Sequence, residues 1–197
     1  SLPLTSTVLS WKVKARDAAG NWGNWSTSRR VTIQPPIPAA PVLDSPAAGA
    51  YLNDNTPKFN WNVPYGVTYQ IQVSTTTAFT ALVVNETLGE GVLTYTPSSE
   101  ISDGLKYWRV RAFNTDDVPG PWSAARSFTI DTTPPAAPNL GLPVNGASVI
   151  GTPTFSWVSV AGSGANAYEF YIDDGLGFSY SSGTILTSSH RPGVSLP

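Results

Sequence analysis

Apolar and polar residues alternate with a period of two along several short stretches of this 197-residue chain. Phe59 and Trp61 alternate with Lys58 and Asn60, and Tyr69, Ile71 and Val73 with Gln70 and Gln72. Trp108, Val110 and Ala112 alternate with Arg109 and Arg111, and Phe128 and Ile130 with Ser127 and Thr129. Successive side chains of a strand leave on opposite faces, so this pattern predicts strands with one face on a core and the other toward water. Turn-forming residues punctuate them at Pro64-Tyr65-Gly66, Gly89-Glu90-Gly91, Asp103-Gly104 and Pro119-Gly120-Pro121. No stretch sustains a helical period. The expectation is an all-β chain of short antiparallel strands.

The pattern repeats. Residues 11–52 align without a gap on residues 108–149, a shift of 97, with 17 of 42 positions identical. The identities include Trp11/Trp108, Val13/Val110, Gly23/Gly120, Trp25/Trp122, Ser26/Ser123 and Ile33/Ile130. Beyond one deletion, Thr56 to Trp61 meets Thr152 to Trp157, and beyond a small insertion Tyr69 to Val73 meets Tyr168 to Ile172. Proline cannot donate to a sheet ladder, so the Pro-rich stretches at 35–41 and 132–138 read as module boundaries. They predict one whole β-sandwich module at 35–131, the C-terminal part of another at 1–34, and the N-terminal part of a third at 132–197. In this frame Leu4 falls opposite Ile101. A 34-residue piece is too short to close a core alone and would expose strand edges. Either the parent polypeptide continues in both directions, or neighbouring chains complete the halves by strand donation.

The arrangement resembles the fibronectin type III-like and bacterial immunoglobulin-like tandem repeats of large microbial surface proteins. Trp61 stands where such modules carry the core tryptophan of strand B. Residues 69–73 look like strand C, 105–112 like strand F and 122–130 like strand G. The stretches 17–21 and 131–135 are similar to phrases common in those surface proteins. The chain departs from the pattern on strand F, where Lys106 and Leu9 hold the inward parity usual for a tyrosine and Tyr107 has the opposite parity. The resemblance implies tandem antiparallel β-sandwich modules with a period of about 97 residues.

Composition narrows the function. Charged residues make up 12% of the chain and the formal net charge is −2, so basic contacts to nucleic acid are not expected. No apolar stretch is long enough for a membrane span. Cysteine is absent, which removes thiol nucleophiles, disulfides and thiolate metal sites. Methionine is absent too, so the chain reads as a processed product or a window of something longer. Its single histidine, His190, lies in a Ser-Ser-His-Arg-Pro stretch expected to be an exposed loop. Imidazole catalysis needs an orienting partner, and none is evident. No enzyme, cofactor or resident metal is expected. Asp116-Asp117 and Asp173-Asp174 lack the spaced carboxylates of a calcium loop, and Asp17, Asp131 and the linkers are the remaining places to look for that ion.

One aromatic and basic face stands out. Trp22, Gly23, Asn24, Trp25 and Ser26 resemble the Trp-Ser-x-Trp-Ser box of cytokine-receptor type III modules, with Gly23 in place of the first serine. Lys12, Lys14 and Arg16 share the outward parity of the neighbouring strand, and Arg109 and Arg111 stand in the same relation to Trp122. These residues predict a cation–π ladder that stiffens a sheet face. The alternative is a glycan-stacking platform formed by Trp22, Trp25 or Tyr180. The repeat counts partly against that platform, because Trp22 gives way to Pro119 one module on. Asn24 and Asn85 fit the N-glycosylation triplet. The expected role is a structural repeat of an extracellular stalk, adhesin or filament on a microbial surface, with its own copies head to tail as partners. A carbohydrate-binding accessory module of a secreted protein is the alternative.

Overall fold

The computed structural model describes residues 6–62 and 68–197, so the expected turn at 64–66 and Leu4 lie outside the described residues. The chain divides into two compact units, Ser1–Thr132 and Thr133–Pro197. Both are built of β-structure.

The first unit begins with a hairpin of β1 (Thr7–Trp11) and β2 (Arg29–Ile33), paired from Thr7↔Ile33 to Trp11↔Arg29. A sandwich follows. One sheet has β3 (Val42–Ser45), β5 (Phe59–Asn62) and β8 (Thr94–Tyr95), in the order β3-β5-β8. The other has β4 (Ala50–Leu52), β6 (Thr68–Ser74), β7 (Leu82–Leu88), β9 (Gly104–Phe113) and β10 (Arg126–Ile130), in the order β4-β10-β9-β6-β7. All pairings are antiparallel except β4 with β10, which are parallel.

The alternating residues account for the core. Phe59 and Trp61 from the three-stranded sheet meet Ile71, Val73, Trp108, Val110, Phe128 and Ile130 from the five-stranded one, all buried. Phe59 sits at the centre, edge-on to Trp108 at 5.0 Å and to Phe128 at 5.6 Å. Edge-to-face contacts of this kind add to the area they bury.

One detail differs from the sequence pattern and a second follows it. The last strand starts at Arg126, not at Trp122. The Ser123 hydroxyl accepts from the Val110 N–H at 3.1 Å, while the Ser123 N–H donates to the Val110 carbonyl at 2.8 Å. A side-chain oxygen thus stands in for a main-chain acceptor, and the regular ladder begins only after it. Lys106 occupies the inward position on β9 and is 2% exposed. Its ammonium escapes along the strand end, donating to the Asp103 carbonyl at 3.0 Å and the Gly104 carbonyl at 3.3 Å.

The second unit pairs β11 (Phe155–Ser156) with β14 (Ser189–His190), and β12 (Tyr168–Asp173) with β13 (Ser179–Ile185). A bridge joins Leu140 to Trp157, and a single 3-10 turn spans Ala161–Ser163. The ring of Trp157 meets Tyr168 at 5.4 Å and 60°, as Trp61 meets Tyr69 at 6.1 Å and 60°.

Candidate functional site

The outward face of β9 carries alternate arginines because its inward face carries the core. Arg109 donates twice to the Gln72 side-chain carbonyl, at 2.7 and 3.0 Å, and Arg111 donates to Gln70 at 2.9 Å. Gln70 and Gln72 in turn donate to Asn85. The two guanidinium carbons lie 4.2 and 4.6 Å from the centre of the Trp122 ring, and Arg109 also covers Phe79 at 4.0 Å. Burial, and then the like charge of Arg111, hold the Arg109 pKa below the ordinary arginine value. The guanidinium stays charged at neutral pH, and the aromatic rings and amide oxygens compensate it.

The hairpin repeats this arrangement with lysines. Lys12 lies 4.8 Å from the Trp25 ring, Lys14 lies 5.0 Å from it and 4.6 Å from Trp22, and Arg16 lies 5.8 Å from Trp22. Trp22 and Trp25 remain more than half exposed. Each such cation–ring contact is worth about 0.5–1 kcal/mol at an exposed site. Asn24 and Asn85 are both exposed, and Asn85 uses its carbonyl oxygen within the amide network.

The acidic positions are tied into turns. The Asp17 carboxylate accepts from the Asn21 main-chain N–H at 2.8 Å and from its side-chain amide at 3.0 Å. The Asn21 backbone bond is the chief reason its pKa falls below the usual carboxylate value. Asp174 accepts from the Leu176 and Phe178 N–H groups, which lower its pKa in the same way. Asp116 accepts from the Ser6 hydroxyl, and Asp131 donates its main-chain N–H to the Leu52 carbonyl. Among the described residues, no three carboxylate or imidazole side chains converge on one point.

His190 corrects the expectation of an exposed loop. It lies on β14, half-buried, with Nε2 3.0 Å from the Tyr180 hydroxyl and its ring stacked on Tyr180 at 5.8 Å and 18°. Tyr180 is half-buried, with its ring against that of His190. The strand position could have been found in the sequence, since Thr94-Tyr95-Thr96-Pro97 parallels Ser189-His190-Arg191-Pro192. His190 pairs with Phe155 as Tyr95 pairs with Phe59.

A groove of about 1170 Å³ in the second unit also went unread in the sequence. Phe155, Trp157, Phe170, Ile172 and Val149 are among its lining residues. Leu140, Val149 and Ile150 are all more than half exposed.

No family model and no curated protein matches the chain. Solved structures do resemble it. An Fn3-like protein from Clostridium thermocellum is 20% identical over 50% of this chain and 99% of its own, with a TM-score of 0.38. The FN1-FN3 domains of chicken CNTN1 are 16% identical over 93% of this chain and 64% of their own, with a TM-score of 0.46. Fibronectin(III)-like modules of Clostridium thermocellum CbhA are 18% identical over 46% of this chain and 92% of their own, with a TM-score of 0.31. The two-sheet order of the central strands is that of a fibronectin type III-like sandwich. No helix among the described residues is long and apolar enough to cross a membrane.

Proposed function

We propose that this chain is a non-catalytic structural segment of an extracellular microbial surface protein, in which sandwich modules follow one another head to tail as a stalk, adhesin or filament. In this reading residues 1–34 are the last part of a module, 35–131 a whole one and 132–197 the first part of the next.

The observation that carries the reading is geometric. Every pair of the β1–β2 ladder has a counterpart 97 residues later in the β9–β10 ladder, from Thr7↔Ile33 and Gly104↔Ile130 to Trp11↔Arg29 and Trp108↔Arg126. The bonds between Val13 and Ser26 have the lengths of those between Val110 and Ser123, 3.1 and 2.8 Å. The turn closed by Asp17 and Asn21 matches the one closed by Asn114 and Val118.

The ends of the central sandwich suit an extended array. Asn114, just past the C-terminal end of β9, donates to the carbonyls of Pro35 and Pro36. Thr132 donates to Asp103 at the other end of β9. Ten strand residues separate these ends by about 30 Å, and proline at the joints limits bending. Small-angle scattering on chains of increasing module number tests the reading. A rod that lengthens by about 30–40 Å per module is expected, and a compact globule overturns it.

The exposed rings of Trp22 and Trp25 favour a second reading, a glycan-binding accessory module. Binding on a glycan array that is lost in Trp25→Ala would support it.

A further inference from the structure

The joint ahead of the central sandwich is gripped by side chains. We infer that the loop of residues 114–118 is a clamp that fixes the direction in which the preceding β1–β2 hairpin enters, all within the first unit. This rests on the modular reading above and adds to it: Asn114 and Asp116 set the stiffness of the joint, beyond what proline imposes on the linker.

The linker is itself part of the sandwich. Pro35, Pro38 and Pro41 are buried, whereas Gln34, Pro36, Ile37 and Ala39 are exposed. Burial at every third residue is the pattern of an extended polyproline strand, which turns once in three residues, laid down along one edge. Gly120 makes room for it, because a Cβ there would stand 2.3 Å from the Pro38 carbonyl oxygen. The prolines bring no N–H, so their carbonyls are what the strap offers for hydrogen bonding.

The loop holds the open end of the hairpin at two points. On one side Asn114, 2% exposed, donates from its amide nitrogen to the carbonyls of Pro35 and Pro36, at 3.4 Å each. On the other side the Asp116 carboxylate accepts from the Ser6 hydroxyl and from the Ser6 N–H. Ser6 and Pro35 lie just outside the Thr7↔Ile33 pair that ends the hairpin ladder. One covalent linker leaves the hairpin free to turn about it. A second attachment beside the first removes that freedom.

The loop does not need the Asn114 amide nitrogen for its own shape. Asn114 Oδ1 accepts from the Asp116 and Val118 N–H groups at 3.0 and 2.9 Å, and main-chain bonds of 3.1 Å join Asn114 to Val118 and to Asp117. The turn at 17–21 closes in the same way on a carboxylate. Asp17 accepts from the Asn21 N–H at 2.8 Å, and main-chain bonds of 3.0 and 3.1 Å join it to Asn21 and Gly20. An aspartate thus shapes this turn as well as an asparagine does, but an ionised carboxylate has no hydrogen for a linker carbonyl. What the asparagine adds is the bond to the linker. A buried amide nitrogen needs an acceptor, and the strap supplies two.

The absence of cysteine allows a clean test with paired spin labels. Ser28→Cys in the hairpin and Ser99→Cys in the sandwich, both at exposed positions, are labelled in the 197-residue chain, and pulsed electron resonance reads their distance distribution. A single narrow distribution is expected. Asn114→Asp should widen it by about twofold or more, because a joint without a large interface lets its neighbours reorient. Ser6→Ala, outside the sandwich, should widen it by a smaller factor. A distribution already broad in the parent overturns the clamp. So does an unchanged width in Asn114→Asp, even with a lower unfolding midpoint, since Asn114 would then brace only its own loop. If Asn114→Asp does not fold, Ser6→Ala decides: widening supports the clamp and an unchanged width overturns it. Unchanged widths alongside rods that lengthen module by module sink only this inference, whereas a compact globule sinks the modular reading whatever the widths.

Discussion

Trp108 and Trp11 stand at the same point of the same local pattern, each opposite an arginine on the paired strand and each two residues before a valine bonded to a serine. In the central sandwich Trp108 is sealed against Phe59, while in the hairpin Trp11 lies half in water. The turns, the hairpin register and the Ser–Val exchange form in both places, because residues close along the chain set them. Burial does not follow from the local pattern. It needs Phe59 and the sheet behind it, which arrive from elsewhere in the sequence. The second unit shows the converse: its Trp157–Tyr168 contact reproduces Trp61–Tyr69, while Phe155 lacks the ring contacts that Trp108 and Phe128 give Phe59. Local order and core closure are therefore separable in one polypeptide.

Truncating the two tryptophans should separate them most. Trp108→Ala leaves a cavity between the sheets and is expected to cost about 3–5 kcal/mol. Trp11→Ala in dilute protein should change stability by no more than about 0.5 kcal/mol, as for other exposed positions. Urea-unfolding midpoints of the two variants measure the difference. Equal costs would mean that the hairpin is already packed in the free chain.

Glycine gives a smaller but more local contrast. A Cβ at Gly120 would overlap the Pro38 carbonyl oxygen and come within 3.2 Å of its carbon. At Gly23, the corresponding position, its nearest neighbour is the Ala15 carbonyl oxygen at 3.7 Å, an ordinary contact. Both glycines donate their N–H to an alanine carbonyl, Gly120 to Ala112 at 2.8 Å and Gly23 to Ala15 at 2.9 Å. Gly120→Ala should cost about 1–3 kcal/mol through overpacking, and Gly23→Ala almost nothing. Thermal unfolding of the pair measures it. A Gly23 variant as damaged as the Gly120 variant would place unseen packing over the hairpin.

These contrasts mark what the sequence could carry. Alternation at Phe59, Trp61, Ile71, Val73 and Val110 was enough to find the strands and their inward faces, because strand period and burial coincide when both sheets are present. The pairing of β1 with β2 was not legible in the sequence, where residues 7–11 and 29–33 read only as part of an incomplete module. His190 was misread because its neighbours Ser188, Ser189 and Arg191 are polar, and β14 is only two residues long. A two-residue strand has no period to detect. The contact between Gly120 and Pro38 was invisible for a different reason, since it joins residues 82 apart and neither carries a side-chain signal.

Lys106 is the subtlest case, and pH exposes it. Leu9, its counterpart in the hairpin, is exposed, whereas Lys106 is carried into the sandwich. Burial draws the Lys106 pKa below the ordinary lysine value, and the nearby charge of Asp103 only partly opposes this. In the unfolded chain the ammonium titrates near ~10.4. Between the lowered folded value and that one, the unfolded state binds more protons, so stability should rise with pH across the window. Below it both states are protonated, and the full cost of burying the charge remains. Tyr69 and Tyr95, whose pKa values burial raises, act in the opposite sense only above about pH 10. Lys106→Met should remove the rise below that point. At neutral pH it should stabilise the sandwich by no more than about 1 kcal/mol, because the carbonyls of Asp103 and Gly104 lose a donor. Urea titrations from pH 7 to about pH 10 check this. Parallel curves for the two proteins would mean that Lys106 keeps its ammonium in water, and the buried position on β9 would then distinguish it from Leu9 in shape alone.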